Sequence, residues 1–319
     1  MADEGYRHGE FVLRTVRSET AAALSPVAAS WCRSALRYGL DPDALNKADP
    51  VEARTLAMIR EASGALPLIA QPVVDALFGS VGRSGACLLL ANGDGVVLDM
   101  RASDAEHEVF VSHGLALGAG WGEDLQGTNG IGTCLVEQRP VTIRRDEHFA
   151  SRNTGVSCMA APIFDPQGQI MAALNVSSAR RDLDEAMALL VSALVHDAAR
   201  TIERDVFCQS FADARIVLAP GERPGSGPSL LAVDRDDLVI GATRTARRRL
   251  GMEVGARLDP RPLGDVLGQP GTGGFDDGDR TVLRQALARA GGNVSAAARL
   301  LGIGRATFYR RMERVGLTA

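Results

Sequence analysis

The stretch GGNVSAAARLLGIGRATFYRRM, residues 291–312, decides the fold of one end of this chain. Gly291-Gly292 ends the preceding segment TVLRQALARA (281–290), in which Leu283, Ala286, Leu287 and Ala290 share one helical face. Asn293 is a good N-cap. Val294, Ala297, Ala298 and Leu301 follow it at i, i+3, i+4 and i+7, an inward helical stripe that Gly302 cuts short. A third helix begins near Gly304 and turns Phe308, Met312 and Val315 inward. Two short helices joined by a tight glycine-containing turn, with small Ala298 where they cross, meet the geometric requirement of a helix-turn-helix. The outward face of the third helix carries Arg305, Thr307, Tyr309, Arg310, Arg311 and Arg314. Such a helix can enter the major groove of double-stranded DNA with its first residues at the base edges. An arginine there can bond guanine bidentately, worth about 1–3 kcal/mol of discrimination. Arginines further along suit phosphates, which position without reading sequence.

Charge is distributed to match. Residues 279–319 hold eight arginines against Asp279 and Glu313, a net of +6, while the whole chain of 319 residues is −4. A basic end on an acidic body is the electrostatic footprint of a small nucleic-acid module on a larger domain. The single lysine, Lys47, follows Asn46 rather than a glycine, so the chain encodes no P-loop, whose lysine must follow glycine to reach nucleotide phosphates. Five cysteines (Cys32, Cys87, Cys134, Cys158, Cys208) lie scattered without a CxxC pair, the pattern of reduced thiols and a cytoplasmic location rather than of a disulfide framework or zinc cage. His107 and His113 stand six apart, which is not a metal-ligand spacing. No metal, cofactor, membrane span or secretory signal is expected.

Working toward the N-terminus, QPGTGGFDDGD (269–279) and APGERPGSGPS (219–229) read as linkers. Between them, LLAVDRDDLVIGATRTARRRLGM (230–252) reads as strand, turn, strand and helix, too short to close a core alone. LDEAMALLVSALVHDAARTIERDVF (183–207) has apolar residues at helical spacing and is expected to leave its domain as a long amphipathic helix. ACLLLANGDGVVLDM (86–100) and MAAPIFDPQGQIMAALNVSS (159–178) read as hairpins around Asn-Gly/Asp-Gly and Asp165-Pro166-Gln167-Gly168. A short helix at 127–138 and a strand at 140–145 lie between them, and residues 10–62 read as helical.

These residues carry a resemblance. Residues 291–312 are similar to the Fis-type helix-turn-helix of bacterial regulators. GWGEDLQGTNGIGTCLVEQRPVTIRRDEHF (120–149), SCMAAPIFDPQGQIMAALNVSS (157–178) and SWCRSALRYGLDPD (30–43) resemble the GAF sensor region of acetoin-type, sigma-54-dependent activators. The likeness implies an α+β multidomain chain: a GAF domain, an antiparallel sheet with helices, followed by an all-α Fis-type helix-turn-helix. The expected division is an N-terminal helical region at 1–65, a sensor at 66–207, a linker with a PAS-like segment at 208–278, and the reader at 279–319. The central ATPase of that family is missing. The resemblance further implies that Asn293 and Ser295 contact the DNA backbone, that Arg305 reads a base, and that Thr307, Arg310 and Arg311 hold phosphates, with Tyr309 on the same face. Gly304 removes one possible reader. Expected partners are an operator, a small-molecule effector, a second copy of the chain, and RNA polymerase or a full-length relative.

Candidate effector contacts are Phe110, Trp121, Thr128, Asn129, His148 and Cys158. For most of them a structural reading stands beside the functional one. Thr128-Asn129 can cap a helix, Trp121 can anchor packing, His148 can be a hydrogen-bonded loop residue, and Cys158 can be a small apolar residue. Two further readings stay open: an architectural, Fis-like DNA binder, and a GAF-type redox enzyme related to methionine sulfoxide reductases. The second needs two cysteines within disulfide reach and a low-pKa thiol.

Overall fold

In a computed structural model, the described residues are all but 1, 45–46, 83–84, 221–226, 236, 269–274 and 318–319; much of both expected linkers therefore lies outside them. The chain divides into two compact units, residues 1–232 with 241–258, and residues 233–240 with 259–319.

The larger unit is built on a five-stranded antiparallel sheet in the order β2-β1-β5-β4-β3. Its strands are β1 (Ala86–Asn92), β2 (Val97–Arg101), β3 (Val141–Ile143), β4 (Ser157–Phe164) and β5 (Ile170–Ser178). Both hairpins lie where the turn residues place them. The Asp165 carboxylate accepts from Gln167 N and Gln169 N at 2.9 and 2.8 Å, which fixes the β4–β5 turn. Helices flank the sheet: α1 (Ala2–Val16), α2 (Ala21–Leu24), α3 (Pro26–Cys32), α4 (Ala53–Ala62), α5 (Leu66–Val81), α6 (Asp104–Ser112), α7 (Glu123–Gln126), α8 (Gly130–Glu137) and α9 (Glu185–Ser210).

Because side chains alternate across a strand, the sheet has two buried faces. Leu88, Leu90, Met159, Ala161, Leu174 and Val176 pack against α5 and α9. Cys87, Leu89, Ala91, Ala160 and Ala173 face Phe110 of α6, Trp121, and Ile131 and Cys134 of α8. The 183–207 segment is one long helix, as its period predicts, but it does not leave the domain. Val191, Val195, Ala198, Ala199, Ile202 and Val206 are buried in the sheet's core, so the apolar stripe is used against the sheet along its length. Sequence period shows that a face is apolar; it does not say what covers it.

After α9 come β6 (Arg215–Leu218), β7 (Leu230–Val233), β8 (Leu238–Ala242) and α10 (Arg244–Arg249), then β9 (Arg261–Pro262) and α11 (Leu263–Val266). Residues 241–258 belong to the larger unit and are latched to its β4–β5 turn. Arg244 donates to Gly168 O at 2.5 Å and to Gln138 Oε1 at 2.6 Å, and lies 4.2 Å over the Phe164 ring. Gly255 N donates to Gln167 O at 2.8 Å.

The smaller unit ends in three helices, α12 (Phe275–Arg289), α13 (Val294–Leu300) and α14 (Arg305–Arg314). Leu283, Ala286, Val294, Ala297, Ala298, Phe308, Met312 and Val315 form their common core. Among the described residues, no single helix is long and apolar enough to cross a membrane.

Candidate nucleic-acid interface and sensor core

The interface is assembled by two caps and a turn. Asn293 Oδ1 accepts from Ala296 N at 3.1 Å and starts α13. Gly302, at φ 63°, takes the left-handed conformation that lets the chain turn into α14. With Phe308 and Met312 committed to the core, the opposite side of α14 is free of packing duties. There Arg305 lies 5.6 Å from the Tyr309 ring centroid and within 3.5 Å of its hydroxyl, and Arg310 Nη2 lies 3.5 Å from Thr307 Oγ1. These four residues form one polar, cationic face, with Asn293 exposed and Ser295 half-buried on the neighbouring helix. Arg311 is placed differently. Its guanidinium donates to Asp279 of α12 at 3.0 Å, and Arg314 pairs with the other oxygen of the same carboxylate.

In the larger unit, four of the six candidate effector residues, Trp121, Thr128, Asn129 and Cys158, gather near the start of α8. Asn129 caps that helix, accepting from Gly132 N at 2.9 Å while its amide donates to Trp121 O and Gly127 O at 3.1 and 2.9 Å. Thr128 Oγ1 lies 2.7 Å from Ser30 Oγ, a partner on α3 nearly a hundred residues away. Trp121 Nε1 donates to Gly114 O at 3.0 Å, and Phe110 is buried with Trp121 against the sheet. The start of α8 lies hard against the sheet because Gly130 has no side chain. A Cβ there would fall on the Asn175 amide oxygen and come within 2.6 Å of Cys158 Cβ. Cys158 Sγ is 3.3 Å from Ser177 Oγ. His148 is buried, its Nδ1 3.1 Å from Arg145 O, and burial lowers its pKa to about 4, so it is neutral at pH 7.

The larger unit also holds polar groups that no spacing announced. Gln126 Oε1, His148 Nε2, both amide atoms of Asn153, and Asn175 Oδ1 are buried and have no hydrogen-bond partner among the described residues. Asn175 projects from the α8 side of β5, between Leu174 and Val176, which project from the other. Arg33 of the turn that follows α3 grips buried Glu123 at 2.5 and 3.0 Å, and Glu137 at 3.0 Å. The partners are 90 and 104 residues apart, so only the fold brings them together.

Cys87 and Cys158 lie too far apart to form a disulfide. Cys87 and Cys158 are both in register with Ser177, from opposite sides of β5. Two strand spacings put their Cα atoms about 9.5 Å apart, beyond the roughly 7 Å limit for a disulfide. Burial raises all three sheet-facing thiols, Cys158 to about 11 despite the Ser177 hydroxyl and the Gly130 N–H, and Cys87 and Cys134 further. Among the described residues, no group of three His, Cys, Asp or Glu could hold a metal ion.

Residues 2–203, more than half of the chain, match the family described as MimR, N-terminal domain. The chain belongs to that family. Residues 276–314 of this MimR-family chain match the helix-turn-helix described as bacterial regulatory protein, Fis family. It is 30% identical over 244 residues to the acetoin catabolism regulatory protein of Cupriavidus necator, an alignment covering 75% of this chain and 36% of that protein. It is 29% identical over 209 residues to the propane 2-monooxygenase operon transcriptional activator MimR of Mycolicibacterium smegmatis, covering 63% and 34%. The chain thus spans about a third of the length of these curated relatives. The fold is also that of a chain in the E. coli DhaR(N)–DhaL complex, with a TM-score of 0.53 at 16% identity over 76% of this chain and 81% of that one.

Proposed function

We propose that this MimR-family chain is a sequence-specific transcription regulator in which a metabolite bound in a GAF-type sensor modulates operator binding by α13 and α14. The observation that carries it is the outward face of α14: Arg305, Thr307, Tyr309 and Arg310 stand together on a helix whose opposite side closes a complete core. Arg305, at the helix start, reads a base. Thr307 and Arg310, with Asn293 and Ser295, hold the backbone. Arg305→Ala is expected to lose about 1–3 kcal/mol of discrimination at one operator position, whereas Arg310→Ala weakens binding to every duplex alike. A competition assay with single-base operator variants measures both. Equal behaviour of the two variants would remove base reading from α14.

The effector reading is supported by the unpaired, buried amide and imidazole groups. Buried polar atoms in folded proteins are nearly always paired, and Gln126, His148, Asn153 and Asn175 are all uncharged. They suit a small neutral metabolite that both donates and accepts hydrogen bonds. Thermal shift of the chain with hydroxy-ketones and alcohols, against carboxylates of equal size, tests this. Stabilisation by none of them, with operator binding indifferent to all, would favour the architectural reading.

With one lysine and no P-loop, the chain lacks the motor that its sigma-54-type relatives use. It acts by repression, by activating another polymerase form, or by interfering with a full-length relative. A homodimer on an imperfect palindrome fits this role. Its support is the exposed apolar row Met187, Leu190 and Leu194 on α9, with Leu189 beside it, each 46–64% exposed. A cytoplasmic location follows from the same reading.

A further inference from the structure

Asp279 is, among the described residues, an acidic side chain of α12 that holds cations of the reading helix. Its Oδ1 accepts from Arg311 Nη1 at 3.0 Å and its Oδ2 from Arg314, while its own side chain is only 20% exposed. Helix geometry brings Arg311 toward α12, and Arg314 follows it at i+3. At about 100° per residue, Arg311 lies about 60° from Phe308 and so borders the buried face, whereas Arg310 lies on the far side. Two guanidiniums on one sheltered carboxylate form charge-assisted bonds, and the carboxylate cancels one positive charge where α14 would approach DNA.

We propose that Asp279 is a specificity-determining residue: by engaging Arg311 and Arg314 it keeps them off the phosphate backbone and suppresses sequence-independent binding. Phosphate contacts supply essentially all of non-specific affinity and carry no sequence information. An arginine already neutralised by a carboxylate displaces no counterion when it nears DNA. The contacts made by α14 are thereby limited to Arg305, Thr307, Tyr309 and Arg310, and a larger share of the binding energy comes from base reading. The inference rests on α14 being the DNA-contacting helix.

The test is the salt dependence of binding of the full-length chain to a random-sequence duplex, followed by fluorescence anisotropy across a NaCl series. Asp279→Asn keeps the shape and removes the charge. It is expected to tighten non-specific binding and to steepen the slope of log K against log[salt] by about 1 to 2, since each added phosphate contact contributes about 0.9. The double variant Arg311→Gln/Arg314→Gln is expected to flatten the slope of the otherwise unchanged chain by no more than about 1, and to abolish the gain when combined with Asp279→Asn. A folded Asp279→Asn with an unchanged slope would overturn the proposal. So would a double variant that flattens the wild-type slope by about 2, because both arginines would then be on phosphates despite Asp279. The double variant decides the matter even if Asp279→Asn fails to fold. No binding by the unaltered chain to any duplex would instead overturn the reading of α14 itself.

Discussion

Glu203 shows how a single residue can set the pH dependence of the larger unit's stability. It lies on the buried side of α9, only 5% exposed, and removal from water raises its carboxyl to about 7. The Phe164 N–H it accepts, and Arg244 and Arg200 nearby, pull it back only in part, and Asp165 adds to the rise. The folded state therefore binds a proton that the unfolded state, near 4.5, has released. Stability from this group is full below pH 4.5 and is lost as pH rises through 7. Glu203→Gln, which does not titrate, is expected to gain on the natural chain by about 3 kcal/mol between pH 4.5 and 7, at about 1.4 kcal/mol per unit. His148, lowered to about 4, titrates in the opposite sense but is common to both proteins and cancels. Urea unfolding followed by tryptophan fluorescence measures this in the sensor alone, because the two tryptophans, Trp31 and Trp121, both belong to the larger unit. A difference that does not vary with pH would contradict the assignment.

At the scale of the element, α8 joins two features that the sequence keeps far apart. It starts at Thr128-Asn129, beside Cys158 and Asn175, and ends at Gln138, whose left-handed backbone (φ 51°) closes the helix and whose side chain accepts from Arg244. The helix thereby joins the sheet at its start to residues 241–258 at its end. Arg244→Ala removes both hydrogen bonds and the stacking on Phe164. Its expected effect is faster amide hydrogen exchange over 241–258 with unchanged exchange in α12–α14; unchanged exchange in both would mean that Arg244 does not latch the segment. The elements themselves were largely legible from sequence. Asp165-Pro166-Gln167-Gly168 marks its turn, Asn293 and Gly302 bound α13, and the α9 stripe gives its length, because these signals are local. The Arg33–Glu123 grip, the Thr128–Ser30 bond and the Arg244 latch were not, because each joins residues that only the finished fold makes neighbours. For the same reason the pairing of Arg311 with Asp279, 32 residues away, could not be read from the helix period, which places Arg311 at the border of the buried face but names no partner.

For the whole molecule, composition carried much of the reading: one lysine without a preceding glycine, and a basic end on an acidic body. What it could not supply is where 241–258 belongs. The segment lies within a stretch expected to be a linker, yet it belongs to the larger unit while its neighbours 233–240 and 259–319 belong to the smaller one. The chain thus passes between the two units at three points. This connectivity, rather than a motor, is the physical link proposed between sensor and reader. The most direct measurement is operator affinity of the full-length chain, by anisotropy at fixed salt, with and without each metabolite that raises the sensor's melting temperature. A stabilising metabolite is expected to change operator affinity and to leave non-specific affinity unchanged. A metabolite that stabilises the sensor while operator affinity stays constant would contradict the coupling of sensor to reader.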